Sequence, residues 1–171
     1  MKNILSLLII IFLASCSSQN IHFNKNVEKS LEVNGIDLKS VQFKIDQKLT
    51  LRREISKTES KPKNGIISIK NGKYIETIMF PRLTPGILMK KDGNSLKLAF
   101  DSVLGSELQF ISFYDMDYQL FILPNSKVIY QGLEYDLYPI NSKLPKLLIT
   151  NSYLNSIKQK NVTVKGMKVK N

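Results

Sequence analysis

The sequence predicts a mostly β protein, an antiparallel sandwich or small barrel built from consecutive hairpins, with at most one short helix. Three observations support this fold class. Beyond residue 37, short apolar or alternating runs recur at spacings of roughly 8 to 12 residues, turn-forming residues separate the runs, and helical spacing is scarce. Residues 37–171 provide enough chain for one β-rich domain with a sizeable core.

The predicted strands alternate apolar and polar residues or form short apolar runs, as strands with one buried face do. In chain order they are 41–45, 49–55, 66–70, 73–80, 87–91, 95–100, 108–114, 118–123, 127–131, 134–138, 146–150 and 162–169. We expect the first ten to pair consecutively as hairpins. The strongest of these turns is Asn71-Gly72, because both residues tolerate the positive φ angles of a type I′ turn.

Two consecutive arginines lie within the second predicted strand. Neighbouring strand residues point to opposite faces, so Arg52 and Arg53 must occupy different environments. We expect one of them to be partly buried and paired, with Glu54 or Glu76 as the partner.

The best helical candidate is SYLNSI (152–157), which places Tyr153, Leu154 and Ile157 on one side. A helix of this length is marginal in water without tertiary support. We therefore expect at most a short helix here.

The first fifteen residues have the order of a secretory signal. Lys2 supplies a positive charge, residues 4–13 are almost entirely apolar, and Ala14-Ser15 are small. The apolar run is too short to cross a bilayer, which takes about 20 residues. We therefore predict that residues 1–15 are a cleaved signal peptide.

The only cysteine directly follows this segment. Leu13-Ala14-Ser15-Cys16 resembles the lipobox of bacterial lipoproteins, a likeness confined to residues 1–16. The resemblance implies that Cys16 carries fatty acyl chains such as palmitate and anchors the mature chain to a membrane. The serine after Cys16 favours the outer membrane by analogy, with the periplasmic or surface side left open. The alternatives are an ordinary secretory signal with an incidental cysteine, or a buried thiol.

Residues 16–36 are mostly polar after Cys16 and show no sustained period of 2 or 3.6. We interpret them as a flexible tether before the domain at 37–171. His22, the single histidine, is expected to be a solvated tether residue, because a metal site needs several converging donors. We predict neither a metal nor another cofactor.

The chain is basic, with 25 Lys and Arg against 14 Asp and Glu and a formal net charge of +11. No acidic residue follows Asp136. A lysine-rich end could contact anionic head groups or another envelope polyanion. We prefer the interpretation that the lysines protect an edge strand and keep the protein soluble. The candidate anion-contact residues are Lys158, Lys160, Lys165, Lys168 and Lys170. No nucleic-acid-binding motif is present, so nucleic acid is not an expected partner.

Aromatic residues concentrate between positions 110 and 138, in strands that are predicted to pair. Exposed rings could form a ligand platform, whereas alternation with Leu and Ile favours a packed interior. The candidate ligand-facing rings are Tyr114, Tyr118, Tyr130 and Tyr135.

No catalytic motif appears, and the predicted domain contains no histidine that could act as a base. The nearest approach is a set of carboxylates that could meet at one end of the sheet: Asp101, Glu107, Asp115 and Asp117. We predict that the protein is not an enzyme. The leading hypothesis is a lipid-anchored envelope protein with a binding or scaffolding role through protein interaction. The alternative is a lipoprotein whose β-barrel binds a glycan or lipid.

Replacing Cys16 tests the anchor. Cys16→Ser should abolish incorporation of labelled palmitate, because it removes the thiol that is predicted to be acylated. The chain should then leave the membrane fraction, since stable anchoring takes more than one acyl chain and each buried CH₂ contributes about 0.8 kcal/mol. Ser18→Ala, just outside the lipobox, should remain labelled. An unlabelled wild-type chain would refute the anchor.

Overall fold

The computed structural model describes residues 19–56, 65–103, 105–114, 116–140 and 142–158. The strands are β1 Asn20–His22, β2 Phe43–Ile45, β3 Leu49–Ile55, β4 Ile66–Lys70, β5 Lys73–Phe80, β6 Pro85–Asp92, β7 Ser95–Ala99, β8 Glu107–Ile111, β9 Gln119–Leu120, β10 Lys127–Tyr130, β11 Leu133–Leu137 and β12 Leu147–Thr150. The helices are α1 Lys25–Val33, a 3₁₀ turn at Leu38–Ser40, and α2 Ser152–Lys158.

The strands form two antiparallel sheets. The larger has the order β1-β12-β2-β6-β7-β8-β9 and the smaller β10-β11-β3-β5-β4. Two isolated bridges link the region of β9 to residues next to β1 and β12, at the other end of the larger sheet. They pair Asn24 with Asp117 and Gln119 with Lys146. A few backbone hydrogen bonds accompany them, including Tyr118 N–H to the Phe23 carbonyl and Leu147 N–H to the Tyr118 carbonyl, at 2.9 Å each. They do not extend into a strand ladder, so within the described residues the sheet curls without forming a closed barrel. The mostly β, antiparallel prediction is confirmed as a sandwich-like fold.

Four of the predicted hairpins are confirmed: β4/β5, β6/β7, β8/β9 and β10/β11. Asn71 and Gly72 have φ angles of 50° and 76°, and Gln131 and Gly132 have 53° and 72°. These pairs of positive angles match the type I′ geometry whose twist suits a two-residue hairpin.

The predicted hairpin between 41–45 and 49–55 is wrong, although both strands exist. β2 pairs with β12 and β6, whereas β3 pairs with β5 and β11. The short connection therefore passes from one sheet to the other. Asp46 holds the crossing point, because its backbone N–H donates to the Lys146 carbonyl at 3.0 Å and its carboxylate accepts from the Lys146 N–H at 2.8 Å.

The prediction of a flexible tether is wrong for residues 20–36. β1 pairs with β12, and α1 follows it with Phe23 and Leu31 fully buried. Asn24 caps α1 by accepting a hydrogen bond from the Val27 N–H at 3.0 Å. The apolar face of α1 consists only of Val27 and Leu31, four residues apart. Because the residues around them are polar, the sequence shows no clear helical pattern here. The short helix predicted at 152–157 is confirmed as α2.

A buried carboxylate fixes α1 on the larger sheet. Glu28 accepts a hydrogen bond from the Tyr118 hydroxyl at 2.5 Å, and it pairs with Lys25 at 2.9 Å and with Lys91 of β6. Burial opposes ionisation of Glu28, but the hydrogen bonds from Lys25, Lys91 and Tyr118 outweigh it and lower its pKa. The charged form therefore stabilises the fold.

Replacing Glu28 should destabilise the protein strongly. Glu28→Gln leaves two ammonium groups without their buried partner, and we expect a loss of about 3 kcal/mol in the free energy of unfolding at neutral pH. The pKa of Glu28 is lowered in the folded state, so the destabilisation should be fully present above the ordinary carboxyl pKa. It should become smaller as the pH falls through the folded-state pKa of Glu28.

The matched control is Glu32→Gln, on the same helix. Glu32 also contacts Lys91, but its side chain is 45% exposed, so its loss should cost below about 1 kcal/mol. Urea denaturation of both variants at several pH values makes the comparison. Equal effects would show that the buried carboxylate has no special role.

Candidate functional site

A cleft of 510 Å³ lies along the smaller sheet, and its lining includes Arg52 and Glu54 from the outer face of β3 and also their neighbour Arg53. Its walls come from β3, β4, β5 and β11, from the turn at Asn125 and Ser126, and from the segment that follows β11. Arg52 lies on the central strand β3 of this wall, and we call the feature the Arg52 cleft. It is the candidate site for binding.

The alternation of β3 separates the two arginines. Arg53 points inward, where its Nε lies 2.6 Å from Glu76 Oε2, and the buried Tyr135 hydroxyl donates to the same oxygen at 3.0 Å. Burial disfavours the charge on Arg53, but the Glu76 contact outweighs it and raises the Arg53 pKa. Burial and the Glu76 hydrogen bond raise the pKa of Tyr135. The expected pairing of one arginine with Glu76 is confirmed.

Arg52 points the other way and stands in a different environment. Its guanidinium carbon lies 3.3 Å from the centroid of the Tyr138 ring, close enough for a cation–π interaction. Its Nε is buried without a hydrogen-bond partner in the described part of the chain. No carboxylate of those residues forms an ion pair with it. A buried donor left unsatisfied in this way calls for an explanation.

The other charges of the cleft are mostly compensated. Glu54 pairs with Lys73 at 2.7 Å, and Asp136 lies 3.5 Å from Lys127. Lys70 at the end of β4 is exposed and forms no ion pair with any described carboxylate. Among the described residues, Arg52 and Lys70 thus carry positive charge that no carboxylate pairs with.

Apolar side chains complete the walls. Ile75, Leu137, Tyr138 and Ile140 line the cleft, and Ile140 is 81% exposed. A concave site with an apolar lining and a few polar groups is the usual form of a small-molecule site. The cleft can therefore hold a group that is anionic at one end and apolar at the other.

The structure corrects three of the four predicted ligand-facing rings. Tyr118, Tyr130 and Tyr135 are fully buried in the core, so they cannot face a ligand. Each hydroxyl donates to a carboxylate, those of Glu28, Asp101 and Glu76 respectively. The alternation with Leu and Ile had indicated this packed interior, and that interpretation is confirmed for these rings. Tyr114 is 93% exposed at the β8–β9 turn and does not line the Arg52 cleft.

The predicted anion-contact lysines and Cys16 fall almost entirely outside the described residues. Cys16 precedes them, and Lys160, Lys165, Lys168 and Lys170 follow them, as does the predicted strand 162–169. Lys158 is the last residue of α2.

Two of the candidate carboxylates have separate partners in the fold. Asp101 accepts from the Tyr130 hydroxyl at 2.5 Å, whereas Asp117 pairs with Lys146 at 3.0 Å, and Asp115 lies outside the described residues. His22 belongs to β1 rather than to a tether, with its Nδ1 3.9 Å from Asp117. Among the described residues, no group of three or more His, Cys, Asp or Glu side chains is placed to hold a metal ion.

Comparisons with protein-family models, with curated proteins and with solved structures gave no match to this chain. Within the described segments, neither helix is long and apolar enough to cross a membrane.

Replacing Glu76 tests whether the inner arginine is structural. Glu76→Gln removes the buried carboxylate that the Arg53 guanidinium and the Tyr135 hydroxyl share, and we expect the free energy of unfolding to fall by about 3 kcal/mol. The control Glu54→Gln breaks the exposed pair with Lys73 and should cost less than about 1 kcal/mol. Chemical denaturation measures both. A small effect of Glu76→Gln would contradict a structural role for this pair.

Proposed function

We propose that this protein is an exported, lipid-anchored component of a bacterial envelope that acts by binding another molecule through the outer face of its smaller sheet. The observation that carries the binding role is the Arg52 cleft, with its uncompensated positive charge beside apolar side chains. The anchoring part of the proposal rests on the lipobox-like residues 13–16.

The surroundings of the cleft favour protein interaction. β4 is an edge strand of the smaller sheet, and Ser68 and Lys70 of this strand line the cleft. Ile66 and Ile69, on the same strand, are 64% and 68% exposed. Edge strands with free backbone groups and exposed apolar side chains are suited to pairing with an added strand.

The position of the first described residue fits an anchor close to the fold. Gln19 is held by a hydrogen bond from the Asn151 N–H to its carbonyl at 2.8 Å. Only Ser17 and Ser18 separate it from Cys16, and the three steps of the chain between Cys16 and Gln19 can reach roughly 10 Å. The lysine-rich C-terminal residues follow α2, which begins directly after Asn151. The first described residue and the start of α2 therefore lie side by side, which supports the proposal that the lysines after α2 contact anionic head groups.

The second candidate function, binding of a glycan or lipid, finds more support at the outer surface than inside a barrel. The described sheets form no closed barrel, and three of the four tyrosines proposed to face such a ligand are buried in the core.

Site-specific photo-crosslinking in cells tests the binding role. A photoreactive residue at Ser68, in the cleft, should capture a defined partner protein, whereas the same residue at the exposed Lys90, on the larger sheet, should not. Failure of the Ser68 probe to capture any protein, or equal capture from Lys90, would argue against protein interaction through this face.

A further inference from the structure

We propose that the Arg52 cleft binds a single carboxylate group attached to an apolar body. This inference rests on the proposed binding function and names the chemistry that the cleft recognises. The carboxylate can belong to a small organic acid or to the C-terminus of a peptide.

The guanidinium of Arg52 is prepared for such a group. Its position over the Tyr138 ring restricts its orientation, and a planar guanidinium presents its N–H donors in a fork that matches the two oxygens of a carboxylate. No described residue already occupies those donors with an ion pair. An arriving carboxylate would therefore replace water rather than a protein partner.

The charge around Arg52 favours a monoanion over a dianion. Lys70 adds a second positive charge, but Glu54 and Asp136 also line the cleft. Their pairs with Lys73 and Lys127 are partly exposed, so some of their negative potential remains. A phosphate monoester carries close to two charges at neutral pH and would meet this repulsion more strongly than a carboxylate would.

The apolar lining of the cleft favours a ligand with an apolar part over an inorganic anion. Ile75, Tyr138 and Ile140 offer surface that a hydrocarbon or aromatic group can cover, and covering it contributes about 25 cal/mol for each Å² removed from water. The 510 Å³ volume lies within the range of about 300 to 1,000 Å³ that small-molecule sites usually have.

Calorimetric titration of the full-length protein tests the assignment with three matched probes. 3-Phenylpropionate should bind about ten-fold or more tightly than the uncharged 3-phenylpropanamide, as charge-assisted hydrogen bonds imply. It should also bind more tightly than phenyl phosphate. Equal binding of the acid and the amide, tighter binding of phenyl phosphate, or no binding of the acid at millimolar concentration would overturn the proposal.

Variants locate the site. Arg52→Gln should weaken binding of 3-phenylpropionate about ten-fold, and Lys70→Gln, at an exposed position, should weaken it several-fold. Lys90→Gln removes one positive charge outside the cleft and should leave the affinity unchanged. Should Arg52→Gln not fold, the Lys70 and Lys90 variants still decide the matter. Affinity that is insensitive to Lys70, or equally sensitive to Lys90, would refute the site.

A peptide arm identifies the source of the carboxylate. A short peptide that ends in phenylalanine with a free carboxylate should bind more tightly than its C-terminal amide, and at least as tightly as 3-phenylpropionate if the natural ligand is a peptide C-terminus. Loss of binding on amidation supports the carboxylate assignment, and equal binding of the two peptides contradicts it. If crosslinking from Ser68 persists while no acid binds, only this inference fails. If acids bind and no partner is captured, the protein-interaction role fails instead.

Discussion

The smaller sheet depends on one constraint, the alternation of side chains along β3. This strand is paired on both sides, by β5 and β11, so its register is fixed over its length. The ion pair between Arg53 and Glu76 lies on the buried face, and shifting the strand by one residue would bring Arg52 to that position. The same constraint that buries one arginine therefore places its neighbour in the cleft.

Three buried tyrosines of this core donate hydrogen bonds to carboxylates, two of them buried (Glu28 and Glu76) and one exposed (Asp101). Glu28, Asp101 and Glu76 each accept a hydrogen bond from a buried tyrosine, and each joins segments distant in the sequence. A chain with one cysteine cannot form an internal disulfide, so packing and such polar contacts must hold the sheets together. Arg52 differs from these paired groups, because no carboxylate of the described residues forms an ion pair with it and its buried Nε has no hydrogen-bond partner there.

Local signals in the sequence predicted the parts of the fold that local geometry determines. The Asn71-Gly72 pair correctly predicted the β4/β5 hairpin, because the turn residues and the alternation of the flanking strands indicate the same structure. The assignment of β2 and β3 to different sheets depends on Asp46 meeting Lys146, and helix α1 depends on burial of Phe23 and Leu31. The cleft likewise depends on the contact of Arg52 with Tyr138, the residue directly after β11. The sequence could predict that the arginines separate, but no local pattern shows which distant residues each one meets.

The comparison of Arg53→Met with Arg52→Met tests this account most directly. Both variants remove one guanidinium from the same strand and retain a long apolar side chain. The account predicts that Arg53→Met lowers the free energy of unfolding by about 3 kcal/mol, because it leaves Glu76 buried without its partner. Arg52→Met should change it by less than about 1 kcal/mol. Equal losses, or a larger loss for Arg52→Met, would contradict the assignment of one arginine to the fold and the other to binding.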